Sequence, residues 1–283
     1  MMSRQFIVTG DNLSDVWATA FLEATKPGRN DMVPLVVTVT GLEDGDGPSE
    51  NVSIRTALDD ALLRLGRKLS VSTVSNTIFP QSLWNSRADR QRLYTRFERI
   101  WPKVQKCTAN HRGHYFRRLT QFSDSQRVNQ LEHIISTYLG NDKRKGNHRR
   151  SALQAALLDP ARDHTHSQVQ GFPCLQQVAF TWLDNGEMCV TGFYGLQYLF
   201  ERAYGNYLGL CRLGRFMAHE MGLKLTRMTC VASAATLAGE KVRKRDLATM
   251  AGVVQDALPS GVTDGQGGVG CSQGSPVQAM WMS

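Results

Sequence analysis

Pro173-Cys174 is the pair in this chain best placed to do chemistry. The thiol stands directly before LQQVAFTWL at 175–183, a run that alternates in the manner of a strand. A cysteine reacts as its thiolate, and a free thiol with a pKa of about 8.5 becomes reactive near neutrality when cations lie beside it. The densest cluster of cations is KRKGNHRR at 143–150, ending in Arg149 and Arg150. Such a cluster suits an anion, a nucleotide phosphate for example. The other cysteines, at 107, 189, 211, 230 and 271, form no CxxC pair, and in the cytosol all six are expected to be reduced. Cys189, Cys211 and Cys230 lie in apolar surroundings and read as small core residues, a role that stays open for Cys174 too. Cys107, His111 and His114 lack the further ligands zinc wants, so no metal site is expected.

The cationic cluster closes a longer stripe. Between Arg87 and Arg150 there are 16 Lys and Arg against 5 Asp and Glu, whereas the whole chain of 283 residues carries a net charge of +8. The remainder is therefore slightly acidic. A stripe of this kind suits nucleic acid, a small anion or a solvated helix face. Composition is that of a folded protein, 41% hydrophobic and 20% charged. No apolar run of 18 residues exists and no signal-peptide core opens the chain, so a cytoplasmic location without membrane spans is expected.

Around the candidate thiol the punctuation is clear. Asp184-Asn185-Gly186 makes a tight turn, so 175–183 and 187–193 read as a hairpin. A helix of about 16 residues follows Asn206 and stops at Gly222, and 225–237 reads as a strand. Upstream, 5–9 and 34–40 read as strands, with a helix capped by Ser14 between them. A second helix is expected at 52–66, stopped by Gly66. The stretch 71–86 reads as loop, with helices at 86–100, 126–140 and 240–257. The elements predict one α+β domain over 1–258, built on a large mixed β-sheet flanked by helices. A Gly/Ser-rich tail at 259–283 is expected to be flexible.

Collinear over roughly residues 50–237, the chain resembles the thymidylate synthases and pyrimidine nucleotide hydroxymethylases. The resemblance rests on Gly113-His114-Tyr115-Phe116-Arg117-Arg118, Asn129-Gln130-Leu131, Arg149-Arg150, Pro173-Cys174 opening a hairpin, Asn206, and FMAHEMGL at 216–223. It implies a thymidylate-synthase-like domain in which Cys174 adds to C6 of a pyrimidine, making C5 enolate-like and able to capture a one-carbon unit. The implied cofactor is 5,10-methylenetetrahydrofolate. Arg149 and Arg150 would grip the substrate phosphate from a partner subunit, which implies a homodimer, and would supply the field that favours the thiolate. Tyr115 and Asn206 would bind substrate, and Asp59, where the family keeps a catalytic glutamate, would move protons through water. Asn206 also suits a helix N-cap, and Asp59 beside Asp60 suits a solvated turn.

The family's motifs are incomplete here. Phe193-Tyr194-Gly195-Leu196-Gln197-Tyr198 replaces its Gln-Arg-Ser-x-Asp, and Ala234-Ala235-Thr236-Leu237 lacks its His-x-Tyr. Arg202 or Arg215 could stand in for the lost arginine. The expectation is a divergent enzyme modifying a pyrimidine at C5. A catalytically inactive binding or assembly subunit is the alternative, and a nucleic-acid-binding protein is less favoured.

Overall fold

The computed structural model describes residues 5–42, 47–65, 69–107, 110, 114–123, 126–164, 166, 173–239 and 242–258. The expected stop at Gly66 and the tail lie outside these. The first half runs β1 (Phe6–Gly10), α1 (Leu13–Thr25), β2 (Asp31–Met32), β3 (Leu35–Val39), α2 (Val52–Arg64), α3 (Val71–Ile78) and α4 (Gln91–Val104). Next come α5 (Tyr115–Thr120), α6 (Gln130–Leu139), a small hairpin of β4 (Gly140–Asn141) and β5 (Arg144–Lys145), β6 (Gln154–Ala156) and α7 (Pro160–Asp163). The chain then gives β7 (Leu175–Trp182), β8 (Glu187–Tyr198), a π-helical turn (Leu199–Ala203), α8 (Tyr204–Glu220), β9 (Lys224–Thr236) and α9 (Lys244–Ala257).

Seven strands make one mixed sheet in the order β1-β3-β9-β8-β7-β6, with β2 on β9. The β1–β3 and β8–β9 pairs are parallel and the rest antiparallel. This is an α+β fold with one domain, as the pattern of elements predicts. The β7–β8 hairpin forms as expected, with Gly186 at φ +79° supplying the left-handed turn. Among the described residues no helix is long and apolar enough to cross a membrane.

One face of the sheet carries the core. Leu35, Val37, Met228, Cys230, Val190, Val178 and Phe180 are buried there under α1, α5, α6 and α8. Gly192 and Gly214 let α8 lie directly on the strands, because a Cβ at either would come within 2.7 Å of Leu210 or Val190. Alternation puts the intervening side chains on the opposite face: Ile7, Val36, Val231, Phe193, Thr191 and Ala179. That face is open, with Ile7 57% and Phe193 39% exposed.

Three local expectations are corrected. The stretch 71–86 is not all loop, because Val71–Ile78 forms α3, capped by Ser70 and buried against α8. There Gly205 and Gly209 allow close contact: a Cβ on Gly205 would meet Val74 Cβ at 2.5 Å. The N-cap of α1 is Asn12, whose side chain accepts the amides of Ser14 and Asp15, while the buried Ser14 hydroxyl bonds that of Tyr204 at 2.7 Å. Nor does Asn206 cap α8, which starts at Tyr204 and carries Asn206 inside its first turn.

Candidate active site

Cys174 is held by the strand that returns along it. Its carbonyl accepts the Gly195 amide at 3.0 Å, and the next residue, Leu175, pairs with Tyr194. Between Leu175 and Gln177 the register shifts, so that Gln176 is an extra residue and β7 bulges beside the thiol. Bulges re-aim side chains, and this one lies at the mouth of the hairpin. The Gln176 carbonyl is not lost, since it accepts the amides of Leu157 and Leu158 after β6.

Three side chains from three elements interact with the half-buried thiol. Burial pushes the Cys174 pKa up, and the positive charge of Arg202, in the π-helical turn, acts against it. Tyr115, at the start of α5, faces the same thiol. Burial and the Cys174 charge raise its pKa, opposed by the backbone amides of Leu175 and Cys174 and by Arg202. Tyr194, from β8, is 1% exposed, and among the described residues its hydroxyl has no hydrogen-bond partner. Asn206 stands four positions after Arg202, about one turn along the same axis, and is 5% exposed.

This arrangement unites Cys174 and Tyr115, carries Asn206 on the helix continuous with Arg202, and leaves three other candidates elsewhere. Arg149 and Arg150 are exposed near the far end of β7, about 26 Å from Cys174 at the usual rise of a strand. Trp182 fixes them there. Its indole donates to the His148 carbonyl at 2.6 Å, and the Arg150 guanidinium lies 5.3 Å over its ring. Within one chain they are not the cations beside Cys174; Arg202 is.

Asp59 is not drawn to the thiol by any contact among the described residues. Both its oxygens are engaged, one accepting Arg55 Nε at 3.0 Å and the other the Val71 amide at 2.7 Å. It ties α2 to the start of α3, and Arg55 also reaches Glu50 at 2.6 Å. Asp59→Ala is therefore expected to cost about 1–2 kcal/mol in denaturant unfolding, by orphaning the Val71 amide and loosening Arg55. Labelling of Cys174 by a thiol reagent should stay within about twofold of wild type.

Part of the basic stripe is occupied internally. Arg90 grips Glu132 through two bonds of 2.8 and 2.9 Å, Arg118 is buried on Asp163, and Arg117 lies 5.0 Å over Trp101. Of the groups around Cys174, sequence reasoning named Arg202 only as a substitute for a lost arginine and gave Tyr194 no role. A tyrosine at a core position of an alternating strand carries no local signal that its hydroxyl is unpaired. The chain matches no protein-family model and no curated protein.

Proposed function

We propose that this protein is an enzyme that modifies a pyrimidine, as a nucleotide or a related compound, by adding the Cys174 thiolate across its 5,6 double bond. The observation that carries the reading is a half-buried thiol with the positive charge of Arg202 acting on it and Tyr115 facing it, and with the enclosed Tyr194 hydroxyl in electrostatic reach and unpaired among the described residues. A core cysteine needs no such company. In the proposed step the sulfur–C6 bond forms while the ring's π pair moves through C5 to the exocyclic oxygen. Arg202 favours the thiolate, and the Asn206 carboxamide, one donor group and one acceptor, suits the edge of the base.

C5 then carries the nucleophilic character that a one-carbon transfer requires. The donor, 5,10-methylenetetrahydrofolate, follows from the family resemblance alone. Tyr198 stands where the family keeps the aspartate that meets the pterin, so the residues present do not fit that cofactor. The same resemblance supports a homodimer. The open sheet face, with exposed Ile7 and Phe193, offers the surface on which two copies would meet. A thiol enzyme of this type suits the reducing cytoplasm.

The test is covalent capture. Uracil and cytosine nucleotides and nucleosides bearing fluorine at C5, each with and without methylenetetrahydrofolate, are incubated with the protein and its intact mass is measured. An adduct mapping to Cys174 supports the reading, because fluorine cannot leave C5 as a proton does. No adduct across the panel favours a binding or assembly subunit.

A further inference from the structure

We propose that the exposed surface at the end of β7 away from Cys174 binds single-stranded nucleic acid. Five cations between 143 and 150 meet the phosphates, and a column of aromatic rings seats stacked bases. This binding is independent of the chemistry at Cys174. Lys143, Arg144, Lys145, Arg149 and Arg150 are all exposed, and Asp142 is the one acid between Tyr138 and Arg150. Among the described residues none of the five forms an ion pair. Elsewhere in the stripe Arg90 and Arg118 are spent on carboxylates. These five remain available to an outside anion.

The backbone holds the cations in place. β4 and β5 pair Gly140 with Lys145 and Asn141 with Arg144, and the Asn141 side chain accepts the Lys143 amide at 3.0 Å. Gly140, at φ +73°, and Gly146 lie so close to the Arg144 and Tyr138 carbonyls that a Cβ at either would collide. The Asn147 amide donates to the Thr137 carbonyl at 2.7 Å, and its side chain accepts the Arg149 amide at 3.0 Å. Beside this turn the rings line up. Tyr138 and His148 stack with centroids 4.4 Å apart and planes 22° from parallel, and His148 lies 5.7 Å from Trp182. The Arg150 guanidinium closes the column, 5.3 Å over the Trp182 ring. His148 is exposed, and Tyr138 and Trp182 are partly so. Rings interleaved with cations are what a single strand uses, because its bases have free faces and its phosphates follow the charge. A duplex keeps its bases stacked inside and would leave the rings idle.

The experiment is fluorescence anisotropy of labelled oligo(dT) and oligo(U), titrated with the full chain at rising NaCl. At least one strand should bind, with log affinity falling linearly against log salt. Replacing Lys143, Arg144 and Lys145 together by Gln should weaken binding about tenfold or more and flatten the slope by about 2, at roughly 0.7 per lost phosphate contact. His148→Ala should cost about three- to tenfold, and His148→Phe should restore binding, since a ring suffices for stacking. The same charge removed from exposed Arg92, Arg96 and Arg99 of α4 should cost no more than about twofold. No binding of either strand at low salt would overturn the proposal, as would an equal loss from the α4 variant or wild-type binding by His148→Ala. So would a dA·dT duplex bound as tightly as oligo(dT). Retention on phosphatidylserine-containing vesicles by protein that leaves both strands free would also overturn it, and would make the surface a membrane contact. Binding is read without any reaction, so failure of the pyrimidine reading leaves this test standing.

Discussion

Arg118→Met is expected to destabilise the fold by about 3–5 kcal/mol, the range for removing one partner of a buried ion pair. Calorimetry should show a melting temperature lower by roughly 6–15 °C. Arg118 and Asp163 are each about 95% buried, and the guanidinium meets the carboxylate through two bonds of 2.6 and 2.8 Å. It also donates to the Leu157 carbonyl at 2.7 Å, and the carboxylate accepts the Asp159 amide at 2.8 Å. Methionine preserves much of the volume and leaves an uncompensated carboxylate with an unpaired carbonyl. Burial by itself would raise the Asp163 pKa, but the bonds from Arg118 and the Asp159 amide hold it below its ordinary value. The pair's contribution is therefore fully present above about pH 4 and lost as pH falls through the folded-state value. Arg118→Met should lose that acid-side dependence as well as the stability. Because Arg118 lies one turn after Tyr115 in α5, the pair also anchors the helix that brings Tyr115 to the thiol.

Cys174→Ala is expected to lower any C5 chemistry on a pyrimidine substrate by about 10⁴-fold or more while leaving the fold intact. Losses of that size follow removal of a nucleophile from a covalent mechanism. Here the reason is specific: without sulfur at C6, C5 never becomes enolate-like, and no other described residue can replace the bond. The side chain is small and half-buried, so unfolding free energy should change by no more than about 1 kcal/mol. A matching loss of stability would point instead to a packing role for this cysteine.

Much of what surrounds Cys174 was legible before the structure. The hairpin follows from Asn185-Gly186 between alternating runs, and the helix, stop and strand that follow it are each marked locally, by periodicity and by Gly222 at φ +68°. Helix α3 was not legible. VSTVSNTI is rich in Ser, Thr and Val, which carry little helical preference, and the helix exists because Gly205 and Gly209 of α8 give it a surface to bury against. The same limit governs the site. Cys174 and Arg149-Arg150 are visible as residue types, but that Trp182 holds the arginines far from the thiol is a fact of packing. So is the presence of Arg202 beside it, from a turn some thirty residues further on. Asp59 has the right chemistry and is spent on the Val71 amide and Arg55.

The measurement closest to the central claim is exchange of the C5 hydrogen in heavy water, followed by proton NMR on uracil and cytosine nucleotides and nucleosides. Reversible thiolate addition at C6 lets C5 pick up deuterium and lose its proton, with no folate needed. Wild type should erase the H5 signal of at least one substrate at a rate proportional to enzyme, and Cys174→Ala should not. An undiminished H5 signal across the whole panel, from protein whose Cys174 still alkylates, would contradict the assignment of Cys174 as a pyrimidine-adding nucleophile.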